Sequence, residues 1–268
     1  MPKAKVNGIE LYYELHGPEN ADVIVLSNGI FMSTASWAFQ VAPMKEHFRV
    51  LVYDCRGMWQ SDHPEETYSM EQHADDLSEL LKALDIPKAH IAGISYGGEV
   101  SMAFAIKYPQ KVRSLIISSS VSQIDPLLWA IGQSWSTAIR SKDPNLLYEV
   151  TMPYNFSESY IQNNQALLEK SKKRYADMDF RSVGELMDTF TRLNLTGQLN
   201  QISAPTLVLV GEEDILKSRK YSELIAKKIP NAELIIIPHA GHAVCLEKPV
   251  AFNSAILGFV LQHCEVVA

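Results

Sequence analysis

Short apolar runs alternate with longer amphipathic segments along most of the chain. An apolar run of about four to eight residues between turn residues is typical of a buried strand. The asparagine and glycine at positions 7 and 8 predict a hairpin between the first two runs, because such a turn needs φ > 0 at both residues. Strands are predicted at residues 3–6, 9–15, 23–26, 49–53, 88–92, 114–118, 206–210 and 233–237.

Amphipathic segments between these runs predict helices. One begins after Ser69, which with Gln72 forms a capping box, and ends at Pro87. The others are predicted at residues 36–46, 98–108, 218–228 and 249–263. Strands that alternate with helices imply an α/β fold, in which helices flank both faces of a mainly parallel central sheet.

Residues 122–199 break this alternation. Their apolar positions follow helical spacing, and no strand-like run occurs among them. Because the segment lies between two predicted strands, we interpret it as a helical lid over the carboxyl edge of the sheet, where ligands bind in such folds. The predicted organisation is a core of residues 1–121 and 200–268 with a lid (cap) insertion at 122–199.

Composition narrows the classes of partner. The 268 residues carry a formal net charge of −7, and the longest basic run is Lys172-Lys173-Arg174. These features argue against nucleic-acid and membrane partners, and we interpret the basic run as the solvated face of a helix. Apolar residues make up 47% of the chain, which argues against a disordered or fibrous protein.

Location and metal content are predicted from what the sequence lacks. The first residues contain no apolar core of a signal peptide, and no stretch is long enough to span a bilayer, so we expect a cytoplasmic protein. The three cysteines are odd in number and scattered, which predicts free thiols. The histidines show no metal-ligand spacing, and no metal site is expected.

The most specific motif is Gly93-Ile94-Ser95-Tyr96-Gly97, which lies between a predicted strand and a predicted helix. A G-x-S-x-G in this context is typical of a nucleophile elbow, a sharp turn that lifts the serine hydroxyl above the sheet edge. The flanking glycines are expected because a Cβ at either position would collide with the neighbouring strand or helix. Ser95 is therefore the candidate nucleophile.

Over essentially its whole length the chain resembles the α/β-hydrolase superfamily, in its lid-bearing esterase and enol-lactonase-like branch. The resemblance implies a catalytic triad in the order serine, acid, histidine. Asp214, after the strand at 206–210, matches the acid, and His242, after Gly241, matches the histidine. Glu213 and His239 are the less favoured alternatives for these two roles.

The resemblance also implies an oxyanion hole formed by the backbone N–H groups of Tyr96 and Ile30. Two departures from the family pattern stand out. Asn28 replaces a usual histidine, and we expect it to hold its loop by a different side-chain hydrogen bond. Trp59 stands where the family's D-x-R-G-x-G-x-S segment has glycine. If this position requires φ > 0, a tryptophan there would cost about 1–2 kcal/mol. We hypothesise that Trp59 narrows the mouth of the pocket.

Five residues are candidates for the substrate pocket, although the two lid tryptophans among them are more typical of packing. Cys245, three residues after His242, is interpreted as a small buried residue rather than a nucleophile. Arg140 is the candidate for a basic group that faces the pocket. The pocket candidates are Asn28, Phe31, Trp59, Trp129 and Trp135.

These residues predict a cofactor-free serine hydrolase that cleaves a small carboxylic ester, thioester or lactone through an acyl-enzyme on Ser95. C–C bond hydrolysis or perhydrolysis with the same triad is the alternative, and a basic group in the pocket would favour C–C bond hydrolysis of an anionic substrate. A low-turnover ligand-binding receptor is the rival from another class. The expected partner is a small molecule, and a homodimer is left open.

Overall fold

One eight-stranded sheet organises the structure, a computed structural model that describes residues 2–264. All eight predicted strands form, with ends that differ by up to two residues from the predictions. They are β1 (Lys3–Val6), β2 (Ile9–His16), β3 (Val23–Ser27), β4 (Arg49–Tyr53), β5 (Ala89–Ile94), β6 (Val112–Ser118), β7 (Thr206–Gly211) and β8 (Glu233–Ile237).

The strand order is β1-β2-β4-β3-β5-β6-β7-β8. β2 pairs antiparallel with β1 and β4, and every other neighbouring pair is parallel, so the prediction of a mainly parallel sheet is confirmed. Because β3 and β5 to β8 run in one direction, the loops that follow them meet at a single edge. That edge brings together positions 28–31, 95, 214 and 242.

Helices cover both faces of the sheet. α1 and α11 pack on one face, whereas α2, α3 and α9 pack on the other. None of the described helices is long and apolar enough to cross a membrane. The helices are α1 (Ala38–Met44), α2 (Met70–Ala83), α3 (Tyr96–Lys107), α4 (Pro126–Ser141), α5 (Pro144–Asn155), α6 (Glu158–Asn163), α7 (Gln165–Lys172), α8 (Phe180–Thr191), α9 (Arg219–Lys228), α10 (Val244–Glu247) and α11 (Pro249–Leu261).

Two local predictions need correction. The helix predicted at 36–46 begins as a 3₁₀ turn, Thr34–Trp37, before α1 follows. The capping box at α2 is only half formed: Ser69 accepts the amide of Gln72 at 3.1 Å, but the Gln72 side chain bonds Glu66 instead of the Ser69 amide. Glu66, which lies upstream, therefore binds the Gln72 side chain that a complete capping box would place on the Ser69 amide.

Helices α4 to α8 and a 3₁₀ turn, Lys173–Asp177, occupy the segment for which a lid was predicted. An isolated bridge between Gln123 and Asn194 joins the two ends of this segment. Aspartates cap three of its helices, since Asp125, Asp143 and Asp179 accept amides in the first turns of α4, α5 and α8. We call α4 to α8 with the 3₁₀ turn the cap helices.

Candidate active site

The turn after β5 holds Ser95 in a strained conformation, with φ 56° and ψ −119°. Its glycines are required by contact. A Cβ on Gly93 would lie 2.1 Å from the carbonyl oxygen of Gly97, and a Cβ on Gly97 would lie 2.0 Å from that of Ser27 in β3. A side chain at either position would collide with the neighbouring helix or strand, so this tight turn requires glycine at both.

Ser95, His242 and Asp214 form one hydrogen-bonded chain. Ser95 Oγ lies 2.9 Å from His242 Nε2, and His242 Nδ1 lies 2.9 Å from Asp214 Oδ2. The three side chains come from the loops after β5, β8 and β7, and all three are buried. The geometry matches a nucleophile, its base and the carboxylate that orients the base.

Asp214 is fixed by more than the imidazole. Its Oδ1 accepts the amides of Leu216 and Lys217 at 3.0 and 2.8 Å. Burial raises the pKa of the Asp214 carboxyl, but His242 and the Lys217 amide outweigh it, so the pKa lies below its ordinary value. An ionised Asp214 accepts from Nδ1–H and so leaves Nε2 as the acceptor that faces Ser95.

Glu213 and His239, the alternative acid and base, lie outside the hydrogen-bonded chain of Ser95, His242 and Asp214. Glu213 and His239 face each other at 3.5 Å on the surface, and the His239 side chain is 76% exposed. Cys245 is fully buried, and burial raises the pKa of its thiol to about 12. It is therefore a thiol rather than a thiolate nucleophile at neutral pH.

The backbone amides of Ile30 and Tyr96 belong to two residues that border a small cavity beside Ser95. Tyr96 is the first residue of α3, where a helix amide has no intrahelical acceptor. Within residues 2–264 neither amide donates a hydrogen bond. Ile30, Ser95 and Tyr96 share the wall of a cavity of about 20 Å³, large enough for one water-sized group.

A buried network fixes the loop that carries Ile30. Asn28 donates to Asp54 Oδ1 at 3.0 Å and accepts the indole N–H of Trp37 at 2.7 Å, while the Thr34 amide also donates to Asp54. Burial raises the pKa of Asp54 to about 6 despite these donors. Asn28 holds the loop by a side-chain hydrogen bond, as expected, and for that reason does not line the pocket.

The main cavity, of about 160 Å³, opens onto Ser95 and His242. Its wall is mainly apolar and includes a cluster of aromatic rings, in which those of Trp135 and Tyr175 each lie 5.7 Å from that of Phe31. Phe31 comes from the loop after β3 and the other two rings from the cap helices. Other wall residues include Met32, Tyr148, Met152, Phe156, Arg174 and Met178.

Besides Asn28, three further predictions about the pocket are wrong. Trp129 is 49% exposed and Arg140 bonds Thr137 on the surface of α4, so neither reaches the cavity. Trp59 has φ 41° and lines a neighbouring cavity instead. It packs against Arg174 of the main pocket wall, whose guanidinium carbon lies 4.8 Å from the centre of the Trp59 indole.

Sequence reasoning missed two charged groups beside the site. Arg174 belongs to the run interpreted as a solvated helix face, but it lines the cavity and donates to Ser33 Oγ at 3.0 Å. Lys217 is buried, forms an ion pair with buried Glu99 of α3, and shares the small cavity with Ser95. Lysine is rarely buried unless it is paired, and the sequence alone does not show that Lys217 is buried beside Glu99.

Comparison with known proteins decides the family. The sequence profile described as alpha/beta hydrolase fold matches residues 22–249. The chain belongs to the α/β-hydrolase family. The resemblance and the fold predicted from the elbow motif are thereby confirmed.

Relatives of this α/β-hydrolase align along nearly their full lengths. A putative carbamate hydrolase, RutD, of Pantoea ananatis is 29% identical over 269 residues, 95% of this chain and 94% of the relative. The 3-oxoadipate enol-lactonase 1 of Acinetobacter baylyi is 29% identical over 256 residues, 94% of each chain. The crystal structure of the enol-lactonase from Burkholderia xenovorans superposes with TM-score 0.91 at 27% identity, covering 97% of this chain and 100% of that one.

Proposed function

We propose that the protein is a serine hydrolase that cleaves a small carboxylic ester or lactone through an acyl-enzyme on Ser95. The observation that carries the proposal is the Ser95–His242–Asp214 chain, with both hydrogen bonds at 2.9 Å, at the wall of a cavity. His242 Nε2 takes the hydroxyl proton as Ser95 Oγ attacks the carbonyl carbon. Asp214 stabilises the imidazolium that forms.

The oxyanion of the tetrahedral intermediate is held by the amides of Ile30 and Tyr96, each of which contributes roughly 3 kcal/mol in such sites. His242 then gives its proton to the leaving oxygen, and the acyl group remains on Ser95. In the second half, His242 takes a proton from water as the water oxygen attacks the acyl carbon. The bond between that carbon and Ser95 Oγ then breaks, His242 returns the proton to Oγ, and the acid is released. The cap helices act as the lid in this scheme and supply Trp135 and Tyr175 to the pocket.

The wall of the cavity supports a substrate with an apolar body and an anionic group. Arg174 is the arginine in a mainly apolar wall, and its guanidinium matches a carboxylate. Two of the relatives are named enol-lactonases and a third a putative carbamate hydrolase, which supports attack on an acyl carbonyl. A lactone or ester that bears a carboxylate fits these observations best; a thioester stays a further option for the same machinery.

Arg174 also favours a second candidate, C–C bond hydrolysis of an anionic substrate. The same triad would serve it, but the leaving group would be a carbon acid that needs a proton at carbon. A methyl ester and a β-diketone of similar size, offered at equal concentration, distinguish the two, because only a C–C hydrolase cleaves the diketone, whose carbon leaving group departs as an enolate. Perhydrolysis is distinguished by peracid formation when hydrogen peroxide is added.

The decisive test is active-site labelling with turnover. A fluorophosphonate probe should label Ser95, and p-nitrophenyl acetate should be hydrolysed over many turnovers. Ser95→Ala should lower kcat on the order of 10⁴-fold or more. Ser171→Ala is the matched control, since Ser171 also lines the cavity, but its hydroxyl donates to the carbonyl of Leu168 and takes no part in the Ser95–His242–Asp214 chain. Retained hydrolysis in Ser95→Ala would refute the proposal, and a single stoichiometric burst would indicate a receptor.

A further inference from the structure

A second cluster of reactive side chains lies at the opposite edge of the sheet from Ser95. Asp22 immediately precedes β3, His90 lies at the start of β5, and Cys264 follows α11. One ligand atom from each of these three residues lies within 4.8 Å of the other two. Nothing in the hydrolytic scheme uses this cluster.

His90 is the member that points to a ligand. Its side chain is fully buried, and its Nδ1 lies 2.8 Å from Ser114 Oγ on β6. Its Nε2 has no hydrogen-bond partner among the described residues. β5 lies between β6 and β3, and Asp22 immediately precedes β3. An Nδ1 directed at Ser114 on β6 therefore turns Nε2 toward the side of Asp22. A buried ring nitrogen without a partner is costly unless something binds it.

The other two groups are oriented for the same point. Arg113 lies 3.4 Å from Asp22 Oδ1, an ion pair that fixes the carboxylate and leaves its second oxygen available. Cys264 is half-buried; its thiol donates to the carbonyl of Val260 at 3.4 Å and also lies beside the Asp22 carboxylate. The remaining thiols, Cys55 and Cys245, are buried elsewhere.

We propose that Asp22, His90 and Cys264 bind a zinc ion, with Nε2 of His90 as the imidazole ligand. Zinc takes thiolate, imidazole and carboxylate ligands together, at about 2.3 Å for sulfur and 2.0–2.2 Å for nitrogen and oxygen. Tetrahedral ligands at such bond lengths lie roughly 3.3–3.7 Å apart, so the cluster needs only a small contraction. A water completes the four ligands, and the thiol proton is released to solvent on binding.

Ser114 and Arg113 fit the outer layer of such a site. Metal-binding histidines usually give their other ring nitrogen to a hydrogen-bond partner, which here is Ser114, and ligating carboxylates are themselves held. The site would attach the end of α11 to the amino ends of β3 and β5. It lies at the opposite edge of the sheet from Ser95 and is independent of the reaction there.

The test is zinc binding by the full chain, reduced and stripped of metal with a chelator. Titration against a chromogenic zinc indicator should give one zinc per chain. Native-state labelling with DTNB should report Cys264 alone, since Cys55 and Cys245 are 2% and 0% exposed. Bound zinc should slow that labelling about tenfold or more, because the coordinated sulfur is no longer a free nucleophile.

Two ligand variants and one neighbour separate this site from adventitious binding. Cys264→Ser should abolish stoichiometric binding, and Asp22→Asn should raise the Kd for zinc at least about tenfold. His263→Ala is the matched control, because it removes an imidazole next to Cys264 that is not one of the three ligands, and it should bind zinc normally. Binding that survives in Cys264→Ser, or no protection of the thiol by zinc, would overturn the proposal.

Discussion

The guanidinium of Arg174 lies over the indole of Trp59, with its central carbon 4.8 Å from the ring centre. The contact joins the cap helices to the loop after β4. Trp59 makes it from φ 41°, a conformation that costs a non-glycine residue about 1–2 kcal/mol. Since a cation over an indole is favourable, the strained Trp59 holds Arg174 at the wall of the cavity.

Arg174 should therefore determine selectivity for anionic substrates. Monomethyl succinate and methyl butyrate have the same chain length and differ by a carboxylate. Arg174→Gln should lower kcat/KM for the succinate ester about tenfold, or about 1.4 kcal/mol, a modest value because the side chain is partly solvated. The butyrate ester should change less than twofold, as measured by proton release in a pH-stat.

Trp59→Gly is the companion variant. It removes the ring beneath Arg174 and restores the residue that the family motif has at this position. We expect lower selectivity for the succinate ester, together with a gain in the free energy of unfolding. Equal loss of both esters in Arg174→Gln would show that the arginine only supports the fold. Full selectivity in Trp59→Gly would contradict the positioning role of the ring.

The elbow makes a sharper prediction about stability. A Cβ at position 97 would lie 2.0 Å from the carbonyl of Ser27 and 2.8 Å from that of Asn28, and backbone cannot move aside cheaply. Gly97→Ala should therefore cost about 3 kcal/mol or more in urea unfolding, and activity should be lost with it. Gly258→Ala is the matched control, because nothing lies within 4 Å of its Cβ.

Gly258 lies inside α11, so alanine there should stabilise the protein by about 0.5–1 kcal/mol. The same substitution thus has opposite signs at two positions. If Gly97→Ala unfolded at the same urea concentration as the natural protein, the close approach of α3 to β3 would be wrong.

The strands, the elbow and the order Ser95, Asp214, His242 could be predicted because each is a local pattern. Apolar runs mark the strands, and the glycines around Ser95 mark a turn too tight for side chains. The positions of Arg174 and Lys217 could not be predicted, because they depend on packing between distant segments. A basic run is interpreted as a solvated face unless the contact between Arg174 and the Trp59 indole is known. Asp22, His90 and Cys264 are far apart in the sequence and follow no metal-binding spacing.

The buried pair of Lys217 and Glu99 should be costly to break from one side. Glu99 is fully buried, its Oε2 has no hydrogen-bond partner within residues 2–264, and burial raises the pKa of its carboxyl against the opposing effect of Lys217. Lys217→Met leaves that carboxyl without its cation and should cost about 3–5 kcal/mol. Glu99→Gln added to Lys217→Met should recover most of the loss, because no buried charge then remains.

Urea unfolding of the two single variants and the double variant gives the coupling energy directly. The Lys217 amide, which binds Asp214, is untouched by these substitutions. A loss below about 1 kcal/mol in Lys217→Met would mean that water reaches Glu99, and the pair would then be equivalent to a surface ion pair.

Asp54 predicts a pH dependence of stability in the loop that carries Ile30. Burial raises its pKa to about 6, whereas the ordinary value is 3.8, so the folded protein holds a proton that the unfolded chain has lost. Between those two values the contribution of Asp54 to the free energy of unfolding falls as pH rises, by on the order of 2–3 kcal/mol in total. Above pH 6 it is constant.

Asp54→Asn cannot ionise and lacks this contribution. The free energy of unfolding of the natural protein relative to Asp54→Asn should therefore decrease from pH 4 to pH 6.5 and then level off, as measured by urea unfolding at each pH. In Asp54→Asn the new side-chain N–H₂ meets the backbone amide of Gln60, which lowers the free energy of unfolding by the same amount at every pH. The change of the difference with pH is therefore the informative quantity. A difference that rises with pH would mean that the donors Asn28 and Thr34 outweigh burial and hold Asp54 ionised.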